Sequence, residues 1–213
     1  MDVLTFVEYF TNLATLGMFA TGIPGCYRMY KTGDTENNPF IFFLLSAVSC
    51  IKMWHYGLLV DNGTLIFLNA VGTVLQIIYV IVSLLVTKPL TEPLALTGAS
   101  LGYLMVLYYY QFNVVVEPNQ IAENIGLAGS VLTTIMMVLP VFEIVDNVKN
   151  RNGNGLPLIM VSGAIVCSIS WLVFGLLLAD PFVWGPNLPG LVLMTIKLIC
   201  ILSFGQDKTK KVD

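Results

Sequence analysis

The stretch Tyr56–Gly72, YGLLVDNGTLIFLNAVG, sets one asparagine, Asn69, inside apolar sequence of membrane-crossing character. Phe174–Gly190, FGLLLADPFVWGPNLPG, repeats the arrangement 118 residues later around Asn187. Laying residues 39–75 over 157–193 at that offset aligns Pro39 with Pro157, Tyr56-Gly57-Leu58-Leu59 with Phe174-Gly175-Leu176-Leu177, Asn69 with Asn187 and Gly72 with Gly190. There are 11 identities in these 37 positions. Apolar runs match by chance, but Pro, Gly and Asn at fixed spacing do so far less readily. Upstream, Pro24 pairs with Pro140 after a two-residue shift in the loop that follows. The chain reads as two copies of one unit.

Composition says what the unit is made of. Hydrophobic residues make up 56% of the 213 positions and charged ones only 11%, with a mean hydropathy of +0.82, against about 25% charged in an average soluble domain. A membrane span needs about 20 mostly apolar residues. Segments of that kind fall near 5–28, 40–60, 65–86, 93–112, 121–147, 156–178 and 183–204. Backbone polar groups in hydrocarbon must be satisfied within the segment, so these runs read as helices, and no ten-residue alternation of a barrel is present. The reading is an all-α integral membrane protein of seven transmembrane helices in a 3+1+3 order. A first triple-helix bundle covers 1–88, a linker helix 89–115, a second bundle 116–205 and a cytosolic tail 206–213. Three helices reverse direction and one more crossing restores it, so the two bundles are parallel repeats.

Charge sets the expected orientation. Arg28, Lys31, Lys88, Lys149, Arg151, Lys208, Lys210 and Lys211 all fall on one side, whereas the opposite loops hold Asp61, Glu117, Glu123 and Asp180 without Lys or Arg. The basic side is expected in the cytosol and the N-terminus outside or in a lumen, at the plasma membrane or in Golgi or other endomembranes. Asp2 and Glu8 precede any basic residue, so the first helix lacks the start of a cleaved signal peptide and is expected to be retained. The tripeptide Asn62-Gly63-Thr64 puts a candidate glycosylation site on the non-cytosolic face. Cys26, Cys50, Cys167 and Cys200 lack CxxC or Cys/His spacing and read as packing residues. A net charge of −3 gives no basis for nucleic-acid binding, and no cofactor or metal motif is present.

Several residues together carry a family resemblance: the prolines Pro24, Pro39, Pro140 and Pro157, an aromatic-Gly pair closing helices 2 and 6, SWLVFG over Ser170–Gly175, DPF over Asp180–Phe182 and GPNLPG over Gly185–Gly190. Ordered and duplicated in this way, they resemble the SWEET sugar transporters over essentially the whole chain. The resemblance implies a facilitative, bidirectional uniporter for glucose or a similar hexose, working by alternating access. Asn69 and Asn187 would meet the sugar from the two halves: an amide carries two donors and an acceptor, the complement of hydroxyl groups. Each asparagine also has a plainer reading as interhelical glue.

The resemblance further implies that Trp171 stacks on the sugar's C–H face, with Met53 its repeat mate, and that Ala20 and Met136 shape the pocket. Trp54 and Trp184 read as packing or interfacial residues. The four prolines would ring the inner gate, and Tyr56 and Asp180 would close the outer one. Lys52 and Lys197 lie near helix ends and are expected to snorkel. His55, the only histidine, has no acidic relay beside it, so uncoupled diffusion is expected rather than proton symport. The partners expected are a small sugar and membrane lipid; a homo-oligomer is compatible with this reading but not required by it.

Two other functions share this outline. A related proton-coupled amino-acid transporter would carry Pro-Gln at the helix starts, where this chain has Pro39-Phe40 and Pro157-Leu158. A seven-helix sorting receptor would put charge in the cavity, where this chain has amides and apolar groups. No Ser/His/Asp set, His cluster or phosphate loop marks an enzyme.

Overall fold

A computed structural model describes residues 2–33, 35, 40–115 and 117–206, and among these every regular element is a helix. The order is α1 (Val3–Thr32), α2 (Phe40–Leu59), α3 (Gly63–Val86), α4 (Thr91–Asn113), α5 (Pro118–Val138), α6 (Val141–Asn150), α7 (Leu158–Leu177), α8 (Pro181–Trp184) and α9 (Asn187–Phe204). With α5–α6 and α8–α9 each counted as one interrupted helix, these make the seven long helices of the sequence reading. Six are long and apolar enough to cross a membrane: Val3–Thr32, Phe40–Leu59, Gly63–Val86, Asn119–Asn150, Leu158–Leu177 and Pro181–Phe204. The remaining one, α4, is long enough at 23 residues but more polar, and it buries only Pro93 and Gln111 among its side chains.

The repeat is visible in the backbone of its corners. Asp61 and Ala179, 118 positions apart, both adopt left-handed backbone, with φ of 52° and 54°. The next residues, Asn62 and Asp180, are extended N-caps whose side chains accept from Leu65 N and Phe182 N. Each cap satisfies a backbone donor that has no partner within its helix. Their own amides donate back to Gly57 O (3.0 Å) and Gly175 O (2.9 Å). These two glycines are required by close approach. A β-carbon at Gly57 would lie 2.8 Å from Leu65 Cβ, and one at Gly175 would lie 2.5 Å from the Trp184 nitrogen. The Gly in each aromatic-Gly pair thus lets one helix cross the start of the next.

The paired prolines behave differently. α1 continues through Pro24, whereas at Pro140 the chain breaks between α5 and α6 and the proline becomes the cap position of α6. A proline inside a helix removes the donor to the carbonyl four residues back; α1 keeps its course despite that loss and α5–α6 does not. Pro157 caps α7 in extended backbone. Pro39 lies outside the described residues.

The chain divides into two compact units. One is Phe19–Met136; the other combines the chain up to Met18 with everything from Met137 onward. The first segment of α1 therefore packs in one unit with the second repeat, and most of α5 packs in the other with the first repeat. In the Phe19–Met136 unit a cluster of Cys26, Met29 and Tyr79 is covered by Phe43, Leu75, Val82 and Val86. The Tyr79 ring lies over Gly22, and its hydroxyl donates to Phe19 O (3.3 Å). In the other unit Ile144, Val161, Met194 and Ile201 form the corresponding cluster.

Candidate functional site

In the Phe19–Met136 unit, Asn69 sits in the second turn of α3 and its Nδ2 donates to the Leu65 carbonyl four residues back (2.9 Å). Met53 on α2 is 8% exposed, and its sulfur lies where a β-carbon at Gly129 of α5 would be, 2.7 Å away. One turn earlier on α2, the Ser49 and Thr133 hydroxyls are joined at 2.7 Å. Two α2–α5 contacts thus fix the Met53 side of the unit. Tyr56 is buried at the end of α2, Met136 is partly buried on α5, and Ala20 and Pro24 are exposed on α1. Asn62 caps α3 through its Oδ1, and the sequon hydroxyl of Thr64 is buried in the first turn of that helix.

In the other unit, Asn187 opens α9 and is 5% exposed; its Nδ2 donates to Val183 O (2.8 Å). Leu65 and Val183 are themselves 118 positions apart, so both asparagines make the same bond to their own chain. Each bond uses one amide hydrogen and leaves the oxygen and the second hydrogen outside it. Trp171 on α7 donates its indole N–H to Thr15 Oγ1 of α1 (2.9 Å) and meets Phe174 edge-to-face, with ring centroids 5.9 Å apart at 72°. Thr15 Oγ1 also lies 3.6 Å from Cys167 Sγ. Asp180 caps α8 at the corner described above.

The lysines depart from the sequence expectation. Lys197 does not snorkel: it is fully buried, with Nζ 2.6 Å from Glu143 Oε1. It also donates to Asn147 Oδ1 and Asn154 O. The physical reason is the segment after α6. Asn152 accepts from Asn147 Nδ2 (2.7 Å), Glu143 accepts from Leu156 N (3.0 Å), and Gln206 Nε2 donates to Gly153 O and Leu156 O (2.9 Å each). The loop is thereby folded over the end of α9 and shuts the ammonium in. Lys52 is also buried, 3% exposed, its stem against the Gly129 face of α5.

Comparison with known proteins identifies the fold's family. A family model described as "Sugar efflux transporter for intercellular exchange" matches residues 5–89 and again 123–209. The chain belongs to the SWEET family of sugar transporters. It is 31% identical to mouse "Sugar transporter SWEET1" over 207 residues, 97% of this chain and 94% of the mouse protein. To the human protein of the same name it is 29% identical over 196 residues, covering 92% and 89%. Among solved structures, the 3.7 Å structure of a eukaryotic SWEET transporter superposes with a TM-score of 0.82 at 20% identity, covering 94% of this chain and 96% of that one. SWEET proteins are transporters, not a class of enzyme.

Three features of this SWEET chain escaped the sequence reading. Thr15 and Trp171 are 156 residues apart, and Ser49 and Thr133 are 84 apart; no local pattern marks either pair. Lys197 read as a snorkelling residue, and the Asn154 carbonyl that it meets is 43 residues away in the chain.

Proposed function

We propose that this chain is a facilitative, bidirectional uniporter carrying glucose or a similar hexose by alternating access, two triple-helix bundles (1–88 and 116–205) rocking about proline-containing helices with 89–115 as the link between them. The observation that carries this reading is the equivalence of Asn69 and Asn187, each placed at the same repeat position and turned by the same bond to the carbonyl four residues back. In this reading the remaining amide groups meet sugar hydroxyls, and the indole face of Trp171 stacks on the sugar's C–H face. Met53, Ala20 and Met136 limit the pocket's size. Pro24, Pro39, Pro140 and Pro157 form the inner gate, and Tyr56 and Asp180 the outer one. A neutral, amide-lined site suits a neutral substrate, since a buried charge without a partner is costly.

The basic loop residues support a reading with the inner gate at the cytosol and the N-terminus outside or in a lumen, in the plasma membrane or endomembranes. Asn62 would then face the glycosylating side. The related mouse and human proteins are named as sugar transporters, which agrees with this assignment.

A sugar panel in proteoliposomes tests it. Met53→Ser is expected to admit sucrose alongside glucose, because it opens space without removing a polar contact. Trp171→Ala is expected to lower glucose uptake severalfold through loss of an aromatic platform, on the order of 1 kcal/mol beyond its buried area. Equal proportional losses of both sugars in both variants would make the two residues ordinary packing and redraw the pocket.

A further inference from the structure

The polar contact that holds Trp171 comes from the other repeat's first helix. Its indole N–H donates to Thr15 Oγ1 at 2.9 Å, Thr15 is 6% exposed, and the same hydroxyl lies 3.6 Å from Cys167 Sγ, one turn before Trp171 on α7. The hydroxyl can therefore accept from the indole and donate to the thiol at once. With Phe174 edge-to-face on the ring, the indole is fixed both at its polar edge and through its ring contact.

The chain supplies its own control for this contact. At the 118-residue offset Trp171 corresponds to Met53, which has no side-chain N–H, and the Thr15–Cys167 contact corresponds to Thr133–Ser49. Where the indole is absent, the threonine hydroxyl bonds to Ser49 and to the Gly129 carbonyl. An indole N–H buried in apolar surroundings without an acceptor is unfavourable, and Thr15 meets that need.

We propose that Thr15 is a positioning residue for sugar recognition: by taking the indole N–H it fixes the tilt of the Trp171 ring and leaves only the ring face for substrate, assigning hydroxyl recognition to the asparagines. The inference rests on the reading of Trp171 as the sugar platform. Its signature is energetic coupling between the two residues.

The test is a double-mutant cycle on glucose transport by the full-length protein in proteoliposomes, with Thr15→Val, Trp171→Phe and the pair, normalised to reconstituted folded protein. Thr15→Val is expected to raise KM about fivefold, the loss of one hydrogen bond, with a smaller change in kcat. Thr15→Ser is expected to restore KM. In the Trp171→Phe background, where no N–H remains, Thr15→Val is expected to change KM less than twofold. An equal KM increase in both backgrounds, or an unchanged KM in Thr15→Val, overturns the assignment and leaves Thr15 as a packing residue. A wild-type KM in Trp171→Ala removes the platform itself, a failure of the pocket reading that the Thr15 variants alone would not produce.

Discussion

Asn69→Ala is expected to cut hexose transport about tenfold or more while leaving the thermal stability of the purified protein nearly unchanged. The amide's bond to Leu65 O lies inside the continuous helix α3, where that carbonyl faces a backbone donor as well, so little structure depends on it. What is lost is the pair of groups assigned to the sugar. Each hydrogen bond is worth about 1 kcal/mol, and leaving a sugar hydroxyl unpaired costs more, which together reach tenfold. Asn187→Ala should match that loss of transport and add about 1 kcal/mol of destabilisation. Its bond to Val183 O spans the break between α8 and α9, where Pro186 cannot supply a backbone donor. Near-normal uptake by Asn69→Ala, measured against surface-localised protein, would remove that residue from the sugar site and leave it only its bond within α3.

Lys197→Met is expected to be the most destabilising single change outside the sugar site, by about 3 kcal/mol, because it removes the counter-ion of Glu143 and the ammonium donor to Asn147 Oδ1. The lower end of the range for a broken buried pair applies because the Glu143 side chain is 35% exposed and can recover some hydration. Removing both charges together, Lys197→Met with Glu143→Leu, should restore much of the loss, since an apolar pair avoids the desolvation that the ions require. Thermal unfolding of the detergent-solubilised variants reads both effects. A Lys197→Met protein within about 0.5 kcal/mol of the parent would show that the pair contributes nothing.

How far the fold was legible depends on the range of the forces involved. The ends of α2 and α7 were readable because the repeat states an aromatic-Gly pair twice, and the structure adds the local reasons at Gly57–Asn62 and Gly175–Asp180: close approach, left-handed backbone and N-capping. The span read at 93–112 does form a helix, α4, but one less apolar than the other six. Pro24 and Pro140 looked equivalent in sequence, yet only the second breaks its helix, because the cost of a missing donor is settled by packing around each proline. Lys197 looked like a snorkelling residue near a helix end, and the loop Asn152–Leu156 that buries it is folded down by partners on α6 and at Gln206. The same limit hid Thr15: nothing within a window of α1 says that its hydroxyl will meet an indole 156 residues away.

Uncoupled transport of a hexose is tested most directly by following radiolabelled glucose into proteoliposomes holding the purified protein, with and without an imposed proton gradient. Internal glucose is expected to rise to the external concentration and stop there in both conditions, since His55 stands alone as a histidine in the chain with no acidic partner assigned to relay with it. Accumulation above the external concentration under the gradient, lost in His55→Gln, would contradict it and make the protein a proton-coupled symporter.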